Sequence, residues 1–137
     1  MITRITVNQI LWEADLIGSR ISLAIGEFFW AVMLFWPGDT FGRPTYSHMA
    51  LVMPEQWWGI MFLVSSFLQV FIVITNKMHS TWAWFFAGWN CCLWGYTVWS
   101  MLASVYPPPA AIGGEMSLAL AAFWIWLRPL ILSESNK

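Results

Sequence analysis

Four apolar blocks of roughly 20 residues, separated by turn signals, limit what this chain can fold into more than any other feature. Each is about as long as an α-helix must be to cross a ~30 Å hydrocarbon core at 1.5 Å rise per residue. Inside a bilayer every backbone polar group has to be satisfied within its own segment, so helices are the expected form. The blocks cover residues 16–36, 55–75, 81–106 and 115–132. They are interrupted by Pro37-Gly38-Asp39, by Pro54, by the polar turn NKMHST and by Pro107-Pro108-Pro109 followed by Gly113-Gly114. With 59% hydrophobic and 9% charged residues, and twelve tryptophans in 137 positions, the composition is far from the about 25% charged residues of soluble domains. The expected fold class is therefore all-α: a single polytopic integral membrane domain over residues 1–137, with four transmembrane helices.

A short amphipathic helix is expected before the first span, over residues 2–17. Val7, Ile10, Leu11, Ala14 and Ile17 share one helical face while Asn8, Glu13 and Asp15 point elsewhere, the pattern of a helix lying in the membrane interface with Trp12 as its anchor. The first apolar block is too long for the core of a signal peptide and lacks a small-residue cleavage site, so it should remain as a span. An even number of spans puts both termini and the 76–80 turn on one side. Arg4, Arg20, Lys77, Arg128 and Lys137 lie there against Arg43 on the other, so the positive-inside rule makes both termini cytoplasmic, with a bacterial inner membrane as the expected location. The 37–54 connection then faces outward. It holds Asp39, Arg43, Tyr46 and His48 among three prolines, and long external loops on a rigid scaffold are candidate recognition surfaces.

Polar groups at membrane depth are the next lead, because they are costly and so have a reason to be there. Counting inward from the cytoplasmic ends, Glu27 lies roughly 15 Å deep and Asn90 about 13 Å, close enough in depth to meet. Gln69, Arg20 and Arg128 fall at roughly 5–9 Å, and the two arginines are expected to snorkel to water or phosphate. A carboxyl at the depth of Glu27 must be neutral, hydrogen-bonded, paired or beside water. A protonated Glu27 bonded to Asn90 is the structural expectation; a proton or cation site is the functional one. In the same helix Gly18, Ser22 and Gly26 recur at spacing four, a small-residue stripe that lets another helix approach closely. Ala87, Cys91 and Gly95 make a similar run in the third block, with Trp82, Trp89 and Tyr96 on a different face.

Several function classes find no footing. A net charge of −1 without a basic patch gives nucleic acid no footprint. Cys91 and Cys92 are adjacent, a spacing that suits neither a CxxC pair nor a metal, and His48 and His79 are expected on opposite sides of the bilayer. No metal, cofactor or catalytic set is anticipated, and the chain is not expected to be an enzyme. Four spans with a lone glutamate in the first resemble the small multidrug resistance transporters, and that resemblance implies a Glu27 carboxyl exchanging protons for cationic substrates. The 18-residue first loop and the surface helix depart from that family's compact pattern. The leading expectation is a non-catalytic membrane protein that works by assembly in the lipid bilayer, with copies of itself or with a larger membrane protein partner, as accessory subunits, phage-type lysis pores and exclusion or inhibitor proteins do. The alternative is a small proton-coupled transporter or channel using Glu27.

Overall fold

The computed structural model describes residues 7–38, 40–104, 110 and 112–135, with side chains described from residue 13 to 130 within those ranges. Among the described residues all regular structure is helical. There are five α-helices, α1 (Val7–Phe35), α2 (Ser47–Val52), α3 (Glu55–Ile74), α4 (Thr81–Ser104) and α5 (Ile112–Ser135), and a 3-10 turn over Pro44–Tyr46. Two segments, Glu13–Phe35 in α1 and Glu55–Ile74 in α3, are long and apolar enough to cross a membrane. The expected third and fourth spans are present as helices α4 and α5, but these do not reach that apolar character.

The helix ends follow local chemistry. α1 stops at Phe35, where Trp36 precedes Pro37 and is pushed out of the helical region. α3 starts directly after Pro54 with Glu55 in its first turn, a carboxylate at the positive end of the helix dipole. It ends with Asn76 at a left-handed φ of 51°. The Asn76 amide donates to the Val73 carbonyl and the Lys77 amide to the Ile72 carbonyl, both at 3.1 Å. This is the Schellman arrangement, in which asparagine takes the place usually held by glycine.

Two expectations about the polar segments need correction. The separate surface helix over 2–17 is, over its described part, simply the beginning of α1, which runs 29 residues without a break. Nothing around Asp15-Leu16 carries a stop signal, and the apolar positions at 10, 14 and 17 continue the same helical period into the span. The 37–54 connection is not irregular throughout either, since the 3-10 turn and α2 occupy its second half. Met49 of α2 is fully enclosed, so a helix too short to persist alone is held by docking.

α1 packs along α3 and α5, α5 packs along α4, and the 3-10 turn and α2 cover the end of α4. The side-chain register shows consecutive long helices alternating in direction. Ser66 Oγ donates to the Ala24 carbonyl at 2.7 Å and Arg20 donates to Gln69, while the Trp84 indole N–H donates to the Trp126 carbonyl at 2.9 Å. The Trp124 indole N–H donates to Asp15 at 2.9 Å, so the start of α1 and the last turns of α5 share one end of the molecule.

Polar side chains share the interior with apolar ones, and many large apolar side chains face outward. Arg20, Glu27, Ser65, Ser66, Gln69, Asn90, Thr97 and Ser100 are buried, whereas Ile25, Phe29, Val64, Phe67, Phe85, Trp89, Leu120 and Phe123 are exposed. The interior that remains is strongly aromatic. Trp30 meets Tyr46, Phe62 and Trp94 with ring centroids 5.8, 5.6 and 6.2 Å apart, and Trp58 stacks on Tyr96 at 5.7 Å.

Candidate functional site

The enclosed polar side chains are spread over the long helices. In α1, Arg20 and Glu27 are seven residues apart and so face the same way. α3 contributes Ser65, Ser66 and Gln69, and α4 contributes Asn90, Thr97 and Ser100, all buried. At one end Arg20 Nη1 donates to Gln69 Oε1 at 2.8 Å and Nη2 to the Ala83 carbonyl at 3.4 Å, tying α1 to α3 and to the start of α4. At the other end Ser104 Oγ donates to the Ser100 carbonyl at 2.5 Å and lies 2.9 Å from His48 Nδ1.

Glu27, one of these side chains, has no exposed surface. Neither of its oxygens has a hydrogen-bond partner among the described residues. The indole N–H of Trp94 is the polar group that reaches it, outside good hydrogen-bond geometry. The expected bond to Asn90 is not formed. Asn90 is fully buried at α4, but its Nδ2 donates to the Phe86 carbonyl of its own helix at 3.1 Å and its Oδ1 is unpartnered. An amide one turn from a free carbonyl lone pair satisfies itself locally, and that competes with a bond across helices.

The small-residue stripe divides. A Cβ on Gly18 would meet nothing within 4 Å, and Ser22 is exposed, so both face outward on α1. Gly26 turns inward, where an added Cβ would come within 2.5 Å of Leu118 on α5. Gly26→Leu should therefore overpack the α1–α5 contact and destabilise the fold by about 1–3 kcal/mol, read as a lower unfolding midpoint in detergent. An unchanged midpoint would mean that Leu118 swings away freely. In α4 the close approach falls at Gly88, where a Cβ would lie 3.0 Å from the Trp126 ring, while Gly95 is open.

The loop residues also separate. Tyr46 is buried, edge-on to Trp30 and stacked on Phe41 at 6.0 Å, so it packs the fold and offers no recognition surface. Burial, with the Glu115 carboxylate nearby, pushes its phenol above the ordinary range, which keeps it neutral. Arg43 is exposed and lines a shallow cavity of about 240 Å³ with Trp36 and Thr40. His48 is half-buried against Trp99, its backbone carbonyl accepting from the Tyr96 hydroxyl at 3.1 Å. Asp39 lies outside the described residues. His48 and His79 sit at opposite ends of α4, the first against Ser104, the second two residues before Thr81.

Three features escaped sequence reasoning. Arg20 and Arg128 turn inward instead of snorkelling along lipid, Gln69 is the partner of Arg20, and Trp94 is the neighbour of Glu27. The matched depths of Arg20, Gln69 and Arg128 were a usable signal for the first two. Among the described residues no three His, Cys, Asp or Glu side chains stand together as a metal site would require. No family model matches the chain, and no similar curated protein or solved structure is found.

Proposed function

We propose that this chain is an integral membrane protein that crosses the bilayer four times and acts by assembly, with copies of itself or with a larger membrane protein. The crossings by α4 and α5 are supported by their outer faces, which expose Phe85, Trp89, Trp99 and Leu102, and Leu120, Phe123 and Leu130. Five of the 24 residues of α4 are tryptophan, a residue with a large apolar body and one polar N–H. The lysine and arginine asymmetry favours cytoplasmic termini, with the inner membrane of a bacterium as the location that fits. Single cysteines in a Cys91→Ser, Cys92→Ser background check this. Thr45→Cys should react with an impermeant reagent added to intact cells and Ser80→Cys should not; the reverse labelling would overturn the orientation.

The observation that carries the assembly reading is the outward placement of Gly18 and Ser22 on α1, flanked by exposed Ile21 and Ile25. Small residues on a lipid-facing surface give another helix backbone a place to approach, where dispersion and weak polar contacts drive association. Because a Cβ on Gly18 would meet nothing within 4 Å among the described residues, Gly18→Leu with Ser22→Leu should leave the fold unchanged and abolish self-association or partner capture in mild detergent. Wild-type oligomer size and partner retention in that double variant would end this reading.

A second reading is favoured by one observation, the enclosed and unpartnered Glu27 carboxyl. Buried polar groups without partners are rare and concentrate where function demands them. In this reading the protein is a small proton-coupled transporter or channel, and Glu27 is the group that takes up and releases the proton.

A further inference from the structure

At the end of the molecule shared by the start of α1 and the last turns of α5, a cavity of about 560 Å³ opens beside the turn that joins α3 to α4. Arg20 and Arg128 both line it, although they expose only 1% and 5% of their surfaces. His79 is a third lining residue, and among the described residues no aspartate or glutamate lines the cavity. Two acids near this end are engaged: Glu13 Oε1 lies 2.9 Å from His79 Nε2, and Asp15 accepts from Trp124. The remaining wall is largely apolar, with Leu16, Trp84, Ile125 and Pro129. Pro129 carries no amide hydrogen, so it cannot give the Ile125 carbonyl the usual helical bond at this level.

Arg20 is held in place by neutral acceptors alone, Gln69 Oε1 and the Ala83 carbonyl, and its Nε–H has no acceptor among the described residues. Its orientation is thus fixed, and no counter-charge bonds to it among the described residues. A buried guanidinium without a counter-charge is strongly unfavourable, and its planar fork of donors matches the paired oxygens of a phosphate.

We propose that this cavity binds a phosphate-bearing anion, gripped between Arg20 and Arg128, with the head-group phosphate of an anionic phospholipid as the form that fits. A lipid suits the mixed lining: the phosphate meets the two arginines, and its glycerol and acyl portion lies against Leu16, Ile125 and Trp84. Free phosphate shares the chemistry of the charged part only. The site does not depend on the assembly reading, because it is formed within a single chain.

Native mass spectrometry of the full chain in a neutral detergent tests the site, with phosphatidylglycerol, phosphatidylcholine and inorganic phosphate as separate probes. Wild type should retain one phosphatidylglycerol in preference to phosphatidylcholine. Arg128→Gln should weaken that preference about tenfold, the scale of one charge-assisted hydrogen bond. Arg128→Lys should restore part of it. Arg20→Gln should act in the same direction, and circular dichroism on each variant separates lost binding from lost fold. Thermal protection by inorganic phosphate, lost in Arg128→Gln and without lipid retention, would keep the anion site and assign it to free phosphate. Equal retention of the two lipids together with no protection by phosphate would overturn the proposal, as would a folded Arg128→Gln that keeps the wild-type preference.

Discussion

Trp30→Ala is expected to lower the unfolding free energy by about 3–5 kcal/mol, the range for removing a large aromatic side chain from a closed interior. Trp30 stands where α1, the 3-10 turn, α3 and α4 converge, and its ring touches one aromatic from each of the other three. Phe62 and Trp94 are also in contact with each other at 5.1 Å, so the cluster is a closed set in which no neighbour can shift into the space without breaking another pair. Aromatic pairs add about 0.5–1.5 kcal/mol each beyond burial. Trp30→Phe should recover a large share of the loss by keeping a ring in the cluster. Denaturant unfolding in a fixed detergent, followed by near-ultraviolet circular dichroism, reads both effects. A loss below about 1 kcal/mol for the alanine variant would mean that the cluster collapses around the gap, as well-relaxing sites do.

Glu27→Leu is expected to do the opposite and stabilise the protein by about 1–3 kcal/mol, the usual penalty of a buried polar group without a partner. Leucine has similar bulk and nothing to desolvate, and no hydrogen bond is lost with the carboxyl. Glu27→Gln keeps an unpartnered polar head in the same place and should leave stability near that of wild type. Destabilisation by leucine would show that Glu27 makes a stabilising contact. The pair of variants also decides between the two functions. If the protein works by assembly, both keep their oligomeric state and partner, and proteoliposomes show no proton-linked flux with any version. If Glu27 carries protons, wild type shows flux and both variants lose it while remaining folded.

How much of this could be read from the sequence depends on which physical cue set each feature. α3 and α4 begin at the expected residues, Glu55 and Thr81, because Pro54 and the NKMHST turn are strong local signals acting through backbone geometry. The continuity of α1 was hidden since the surface-helix pattern and the span share one period, and only a breaker between them would have told them apart. α2 was hidden for another reason: six residues of SHMALV have no helical stability of their own, and the helix packs on α4, which is distant in sequence. At the site, depth counting correctly brought Arg20 level with Gln69. It could not fix the rotation of each helix about its axis, which decides that Gly18 and Ser22 face out, Gly26 faces Leu118, and Asn90 bonds its own helix. Rotation is set by the fit of large side chains such as Trp30, Trp94 and Trp126, and that fit has no linear signature.

The unequal lengths of α1 and α3 bear on how the protein would sit in a bilayer. At 1.5 Å per residue, the 29 residues of α1 span about 44 Å and the 20 of α3 about 30 Å. α3 therefore matches the hydrocarbon thickness with nothing to spare, while α1 extends beyond it at the end where Asp15 bonds to Trp124 and Glu13 meets His79. A thicker membrane could be met at α1 by drawing in more of the helix, but at α3 only by exposing the helix ends or deforming the lipid. In a bilayer α3, the shorter helix, would thus set the membrane thickness this protein tolerates.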